Sequence, residues 1–346
     1  MLSDYVIAPT DPVIHDRVQA AIDAKTKPPG SLGRIEALAV HMALAQGTEA
    51  PSADPAHLLI FAGDHGLVAE GVSAWPSEVT QQMVLNFLAG GAAANAFAAA
   101  NGCAITVADA GVAGALPDHP NLVRAGIAKG TANAALEDAM TAEAVARALS
   151  FGAELAKKTA QDGARVIALG EMGIGNTASA ALLAHAIQGL DLGGLTGPGA
   201  GLDQDGIDRK RAVLERCARR RPDPLSPELA LQAFGGLEIA AMTGAMIGAA
   251  SRRAAVLVDG FIATAAALAA IGARPEVRPY LIFAHRSHEP GHAMMLTALD
   301  AEPLLSLEMR LGEGTGALLA LPLLRASCAM VRDMATFADA GVSGKT

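Results

Sequence analysis

Aromatic side chains are scarce: the chain has eight Phe, two Tyr and one Trp in 346 residues. A core with so few rings must be filled by small and branched aliphatic side chains, and hydrophobic residues make up 51% of the sequence. Such a composition suits helices packed closely on a sheet. Cysteine is scarcer still. Cys103, Cys217 and Cys328 lie far apart and form no CxxC pair, which argues against a disulfide framework and a thiolate metal site. Each reads as a small buried hydrophobe, in keeping with a reducing compartment. Positive charge is also in short supply, with a formal net charge of -9. The densest basic stretch, Arg216 to Arg221, is broken by Cys217 and Ala218. Nucleic-acid binding, which needs a basic stripe, is therefore excluded, whereas a small phosphorylated ligand needs only local donors. Long apolar runs are missing too. Residues 239–250 and 261–272 are apolar but short, bounded by Glu238, Arg252, Arg253 and Asp259. Neither reaches the roughly 20 residues a bilayer requires, so both read as buried helices. The opening MLSDYVIAPTDPVIHD carries acids and prolines where a signal peptide has a basic start and an apolar run, so a cytoplasmic protein is expected.

What is present is a repeated pattern. Short apolar runs end in a polar residue and often a glycine: HLLIFAGDHG (57–66), AITVADAG (104–111), RVIALGEMG (165–173), AAVLVDG (254–260) and PYLIFAHRS (279–287). Ala-rich helical stretches follow, at 79–100, 177–187 and 261–271. Continuous apolar runs alternating with helices mark parallel strands buried on both faces, so the expected class is α/β with a parallel sheet. Ligands bind such sheets beyond the C-terminal strand ends. Asp64, His65, Asp109, Glu171, Asp259 and His285 stand at those ends, which predicts a shared polar crevice. Amphipathic residues 11–25 and the apolar stretch 316–338, with Pro322 near a kink or a helix start, lack strands of their own and are expected to pack as a small domain. The boundaries are 26–300 for the large domain and 1–25 with 301–346 for the small one. Residues 340–346 read as a loose tail.

Five segments carry chemistry. GEMGIGNT (170–177) places Gly170, Gly173 and Gly175 between a strand and a helix. It reads either as a phosphate site at a helix N-terminus or as a tight turn. It is neither a P-loop nor a G-x-G-x-x-G, and no such fingerprint with a downstream ribose acid exists, which removes a Rossmann dehydrogenase. GPGAGLD (197–203) is followed by Lys210 in a helix starting around 203–208; Lys210 is either a second anion contact or a surface lysine. RLGEGTGA (310–317) sets Glu313 between glycines ahead of a long helix, as a reactive carboxylate or as a helix cap. The loop of 61–84 holds Trp75, which either stacks on a flat heterocycle or plugs the loop. His285, His288 and His292 invite a zinc reading, but Pro290 breaks the helical pairing that HEXXH needs, so no metal is expected.

Together TKPPGSLGRIEALA, FAGDHG, EGVSAWP, VTQQMVLNFL, GEMGIGNTASAA, GPGAGLD, FGGLEIAAMTGA, VDGFIATAAALAA, AHRSHEPGH and MRLGEGTGALLALPLL resemble the nicotinate-nucleotide:dimethylbenzimidazole phosphoribosyltransferases of the cobalamin pathway, over residues 26 to 341. The resemblance implies a Rossmann-like sheet flanked by helices, a small domain from both chain ends and a homodimer. It implies transfer of the phosphoribosyl group of nicotinate mononucleotide to 5,6-dimethylbenzimidazole, giving α-ribazole 5′-phosphate and nicotinate, with no cofactor. It maps the general base onto Glu313 and a second catalytic glutamate onto Glu171. Gly173, Gly175, Asn176 and Lys210 fall on the phosphate and ribose elements. Ser73, Gln82 (with Gln81 beside it) and Leu311 fall on the benzimidazole pocket. Trp75 stands where the family pattern has Tyr or Phe. A non-catalytic nucleotide- or base-binding homologue is the competing reading, and the presence of both glutamates argues against it.

Overall fold

A computed structural model describes residues 2–221 and 224–343. Six strands form one wholly parallel sheet: β1 (Ala56–Gly63), β2 (Ala104–Gly111), β3 (Leu122–Arg124), β4 (Val166–Met172), β5 (Ala255–Val258) and β6 (Leu281–Phe283), in the order β3-β2-β1-β4-β5-β6. This is the doubly wound α/β arrangement, and the order reverses between β1 and β4. The five expected runs are all strands. β3 is the addition: three residues at an edge with two side chains exposed, too short and too polar to stand out by pattern.

Both faces of the sheet are covered. Phe61 of β1 meets Phe151 of the helix Ala142–Gln161 edge to face, while Leu58, three residues earlier and so on the other face, lies against Gly314 at the start of the helix Thr315–Asp333. Residues 239–250 and 261–272 form the buried helices Leu237–Ala250 and Phe261–Ala273. The expected helix over 79–100 is two helices, Glu78–Ala89 and Ala93–Ala100, because Gly90 at φ +80° terminates the first. Pro322 lies inside the helix Thr315–Asp333 and not at its start. Neither Arg34–Gln46 nor Ala142–Gln161 is among the helices expected from sequence.

The chain ends meet in a second, smaller core of Val18, Ile22 and Met330, which also takes in Ala39, Val40 and Ala43 of the helix Arg34–Gln46. Lys25 Nζ donates to the Met334 carbonyl at 2.6 Å and ties the two ends together. Cys103, Cys217 and Cys328 are free and buried. Of the tail, Gly344, Lys345 and Thr346 lie outside the described residues.

Candidate active site

Segments after β1, β4, β5 and β6 enclose a cavity of about 490 Å³ beside the point where the strand order reverses. Three of the expected strand-end residues line it: Glu171, Asp259 and His285. The other three do not. Asp64 Oδ2 accepts from the Ala113 N–H at 2.8 Å and Asp109 Oδ1 from the Val112 N–H at 2.8 Å, so both brace loops. His65 is buried beneath the cavity, within 3.0 Å of Ser179 Oγ through Nδ1 and 2.7 Å of Glu238 Oε1 through Nε2. The polar strand-end residues of the crevice therefore come from β4, β5 and β6 only.

Glu313 reaches this cavity by an unusual backbone path. Gly312, Glu313 and Gly314 run at φ +86°, +63° and +80°; a left-handed non-glycine residue costs roughly 1–2 kcal/mol. The path lets two loops approach backbone to backbone. A Cβ on Gly170 would sit 2.6 Å from the Glu313 carbonyl carbon, and one on Gly312 would collide with the Glu171 carboxylate. Close approach brings Glu171 and Glu313 to one wall. The capping alternative for Glu313 is answered by Asp259, whose Oδ1 accepts from the Ala317 N–H at 2.8 Å in the first turn of the helix Thr315–Asp333. Glu313 keeps a single long contact, from the Ala94 N–H at 3.3 Å.

The carboxyls lie in an apolar surround and hold their protons unusually well. Burial pushes Glu171 up to about 8, with the nearby charges of Asp259, Glu238 and Glu313 adding to it and a hydrogen bond from the Asn176 amide opposing it. Burial likewise pushes Asp259 up to about 7, against the helix N–H groups that favour its ionised form. Burial raises Glu313 above the ordinary carboxylate range, and the Ala94 N–H partly offsets it. Much of the remaining lining is apolar, with Val79, Met83, Ile174, Phe261 and Leu311 and the half-exposed indole of Trp75. Trp75 is aimed by two bonds: its N–H donates to Ser73 Oγ at 3.1 Å, and its indole Nε1 donates to the Ala200 carbonyl at 2.9 Å.

Of the residues singled out in sequence, Glu313, Glu171, Gly173, Asn176 and Leu311 line the cavity together. Gly175 lies behind it, as the N-cap of the helix Asn176–Gln188 at φ +91°, against Val68 and His65. Lys210 is not on the surface. It is 1% exposed, and its Nζ donates to Thr177 Oγ1 at 2.8 Å and to the Gly197 carbonyl at 3.2 Å. Burial pulls its ammonium down to about 8. Lys210 thus reaches the cavity through Thr177, which lines it. Ser73 shapes the Trp75 turn without lining the cavity, and Gln82 is exposed outside it. Gln81 turns away, donating to the Ala115 carbonyl at 2.5 Å.

Sequence reasoning passed over Thr177, Ser287, Glu289 and Arg310, all of which line the cavity. Glu289 stood in the AHRSHEPGH segment, where the histidines drew attention. Those histidines have other partners: His292 sits within 2.9 Å of Thr264 Oγ1 through Nε2 and accepts from the Ser287 N–H through Nδ1 at 2.8 Å, while His285 Nε2 lies 3.7 Å from Asp259. Among the described residues no three His, Cys, Asp or Glu side chains stand in a metal-ligating group.

Comparison with known proteins agrees on one family. A sequence model described as phosphoribosyltransferase matches residues 7–342. The nicotinate-nucleotide–dimethylbenzimidazole phosphoribosyltransferase of Ralstonia nicotianae is 53% identical over 97% of this chain and 96% of its own length. The protein of the same name from Aromatoleum aromaticum is 50% identical over 99% of both chains. The crystal structure of the Thermus thermophilus protein of that name superposes with a TM-score of 0.92 at 44% identity, over 97% of this chain and 100% of that one.

Proposed function

The chain belongs to the nicotinate-nucleotide–dimethylbenzimidazole phosphoribosyltransferase family, and on that footing we propose that Glu313 is the general base of its reaction, with Glu171 as a protonated partner beside it. The reaction moves the phosphoribosyl group of nicotinate mononucleotide to 5,6-dimethylbenzimidazole, giving α-ribazole 5′-phosphate and nicotinate. One benzimidazole nitrogen attacks C1′ of the ribose. The C1′–N bond to nicotinate breaks, and its electron pair neutralises the departing pyridinium, so the leaving group needs no acid. The other benzimidazole N–H becomes acidic as the new bond forms, and its proton goes to Glu313.

The observation that carries this reading is the freedom of Glu313: a buried carboxylate on an apolar wall, held by one long backbone contact, while Asp259 caps the helix that follows. Burial makes it a stronger base than an exposed glutamate. Glu171, which holds its proton to about 8, places no second full charge beside it at neutral pH. The phosphate is assigned to the N-terminus of the helix Asn176–Gln188, with Gly173 and Asn176 lining the cavity, Gly175 turning the chain into the helix behind them and Lys210 supplying charge behind Thr177. The benzimidazole is assigned to the apolar wall of Leu311 and Trp75, with Ser73 holding the Trp75 turn; Gln82, exposed outside the cavity, is left out of this assignment.

Glu313→Gln is expected to lower kcat by about 10² to 10⁴, with the KM for dimethylbenzimidazole changed by no more than a few-fold, read by nicotinate release from purified enzyme. Turnover at the wild-type rate would overturn the assignment. A homologue that only binds would release no nicotinate from the wild-type chain.

We also assign a homodimer. An 18-residue window within residues 78–100 has a mean hydropathy of 1.4, yet only 28% of that window is buried within the chain. Residues 78–100 flank the cavity through Val79 and Met83; Trp75 and Leu311, which line it, and Leu85, within the stretch, are exposed. A second copy is the partner assigned to this face. The three free, buried cysteines favour the cytoplasm as its compartment.

A further inference from the structure

Glu289 takes no part in the chemistry above, although it faces the same cavity. It holds the N-cap position of the helix Pro290–Ala298, yet its side chain accepts no capping hydrogen bond. It is 5% exposed, and neither carboxylate oxygen has a hydrogen-bond partner. Burial pushes its pKa above the ordinary value, and the cations of Lys210 and Arg310 and the Gly199 N–H oppose that by favouring its charged form. Both cations are committed elsewhere: Lys210 to Thr177 and the Gly197 carbonyl, Arg310 to the Gly199 carbonyl at 2.8 Å. Gly197 backs the carboxylate so closely that a Cβ there would collide with Oε2. The result is a fixed, buried carboxylate with free acceptor oxygens in a ligand cavity. Such a group is costly unless a ligand supplies the donors.

The substrates limit what those donors are. The phosphate and the nicotinate carboxylate are acceptors and would be repelled. The benzimidazole has one N–H, which the reading above gives to Glu313. The ribose carries two neighbouring hydroxyls, and a carboxylate can accept one on each oxygen. We propose that Glu289 binds the 2′ and 3′ hydroxyls of the nucleotide ribose and makes the enzyme selective for ribonucleotides. This rests on the cavity taking the nucleotide, but not on which residue is the base.

The test is the ratio of kcat/KM for nicotinate mononucleotide to that for its 2′-deoxy analogue. Wild-type enzyme is expected to prefer the ribonucleotide by about 10²-fold, the effect of one lost hydrogen bond to a buried charge. Glu289→Ala should bring the ratio to within a few-fold of one, mostly through the KM of the ribonucleotide. Glu289→Gln, which keeps the shape, should fold and also lose most of the preference. A wild-type ratio near one, or a wild-type ratio retained in either folded variant, overturns the proposal. An error in the Glu313 assignment would change both rates together and leave the ratio intact.

Discussion

At the residue scale, Glu171 carries a measurable burden. In the unfolded chain it ionises near 4.5, whereas in the fold it keeps its proton to about 8. Below 4.5 both states are protonated and the residue adds no pH dependence. Between 4.5 and about 8 the unfolded chain has released its proton and the folded one has not, so stability falls as pH rises; above that the penalty is constant. Glu171→Gln removes it while keeping an amide in place of the acid. Thermal unfolding should show the variant more stable than wild type by about 5 °C at pH 8, with most of that gain gone at pH 5. An equal shift at both pH values would mean that Glu171 is not held protonated. Glu313 poses a different problem of reading. In sequence a glutamate ahead of a long helix is as good a cap as a base; the choice turns on Asp259, which takes the capping N–H of Ala317 from another loop.

At the element scale, the helices Ala142–Gln161 and Leu237–Ala250 pack with almost no space between backbones. A Cβ on Gly244 would collide with the Leu149 carbonyl, one on Gly152 with that of Ala241, and one on Gly248 with that of Ala153. The scarcity of rings and the abundance of Ala and Gly find their explanation here. Gly244→Val should lower unfolding stability by about 3 kcal/mol or more in a denaturant titration; a loss under about 0.5 kcal/mol would contradict the contact. The helix Ala142–Gln161 was legible in principle, since Thr141 caps it at the Ala144 N–H, 3.1 Å away, and Val145, Ala148, Leu149, Gly152, Ala153 and Ala156 form one buried stripe. It escaped because no apolar strand precedes it, as one does the helical stretches at 79–100, 177–187 and 261–271. The other five strands were plain, because burial writes a continuous apolar run into each, whereas β3 is short and exposed at the edge.

At the scale of the whole molecule, the cavity lies where the strand order reverses between β1 and β4, and the four acids that line it, Glu171, Asp259, Glu289 and Glu313, come from four separate segments. The apolar rim of residues 78–100 predicts a dimer. Light scattering should give about twice the 35.0 kDa chain mass, and Leu85→Asp should shift the population towards the monomer by placing a charge in the face assigned to the second copy. A monomer of wild-type sequence at micromolar concentration would refute it.

The sequence by itself determined the α/β class, the position of the strands, the glycine blocks and the family, because each depends on local chemistry: apolar runs, turn residues and short motifs in order. It also brought forward Glu313 and Glu171 as the acids to watch. The tertiary structure decided how they work. It set Glu171 and Glu313 side by side through backbone contact at Gly170 and Gly312, buried Lys210 behind Thr177, retired Asp64 and Asp109 to loop bracing, and left Glu289 facing the cavity unpaired. A carboxylate's basicity is set by burial and by charges within a few ångströms. Those distances join segments far apart in the chain, and only the packed sheet fixes them.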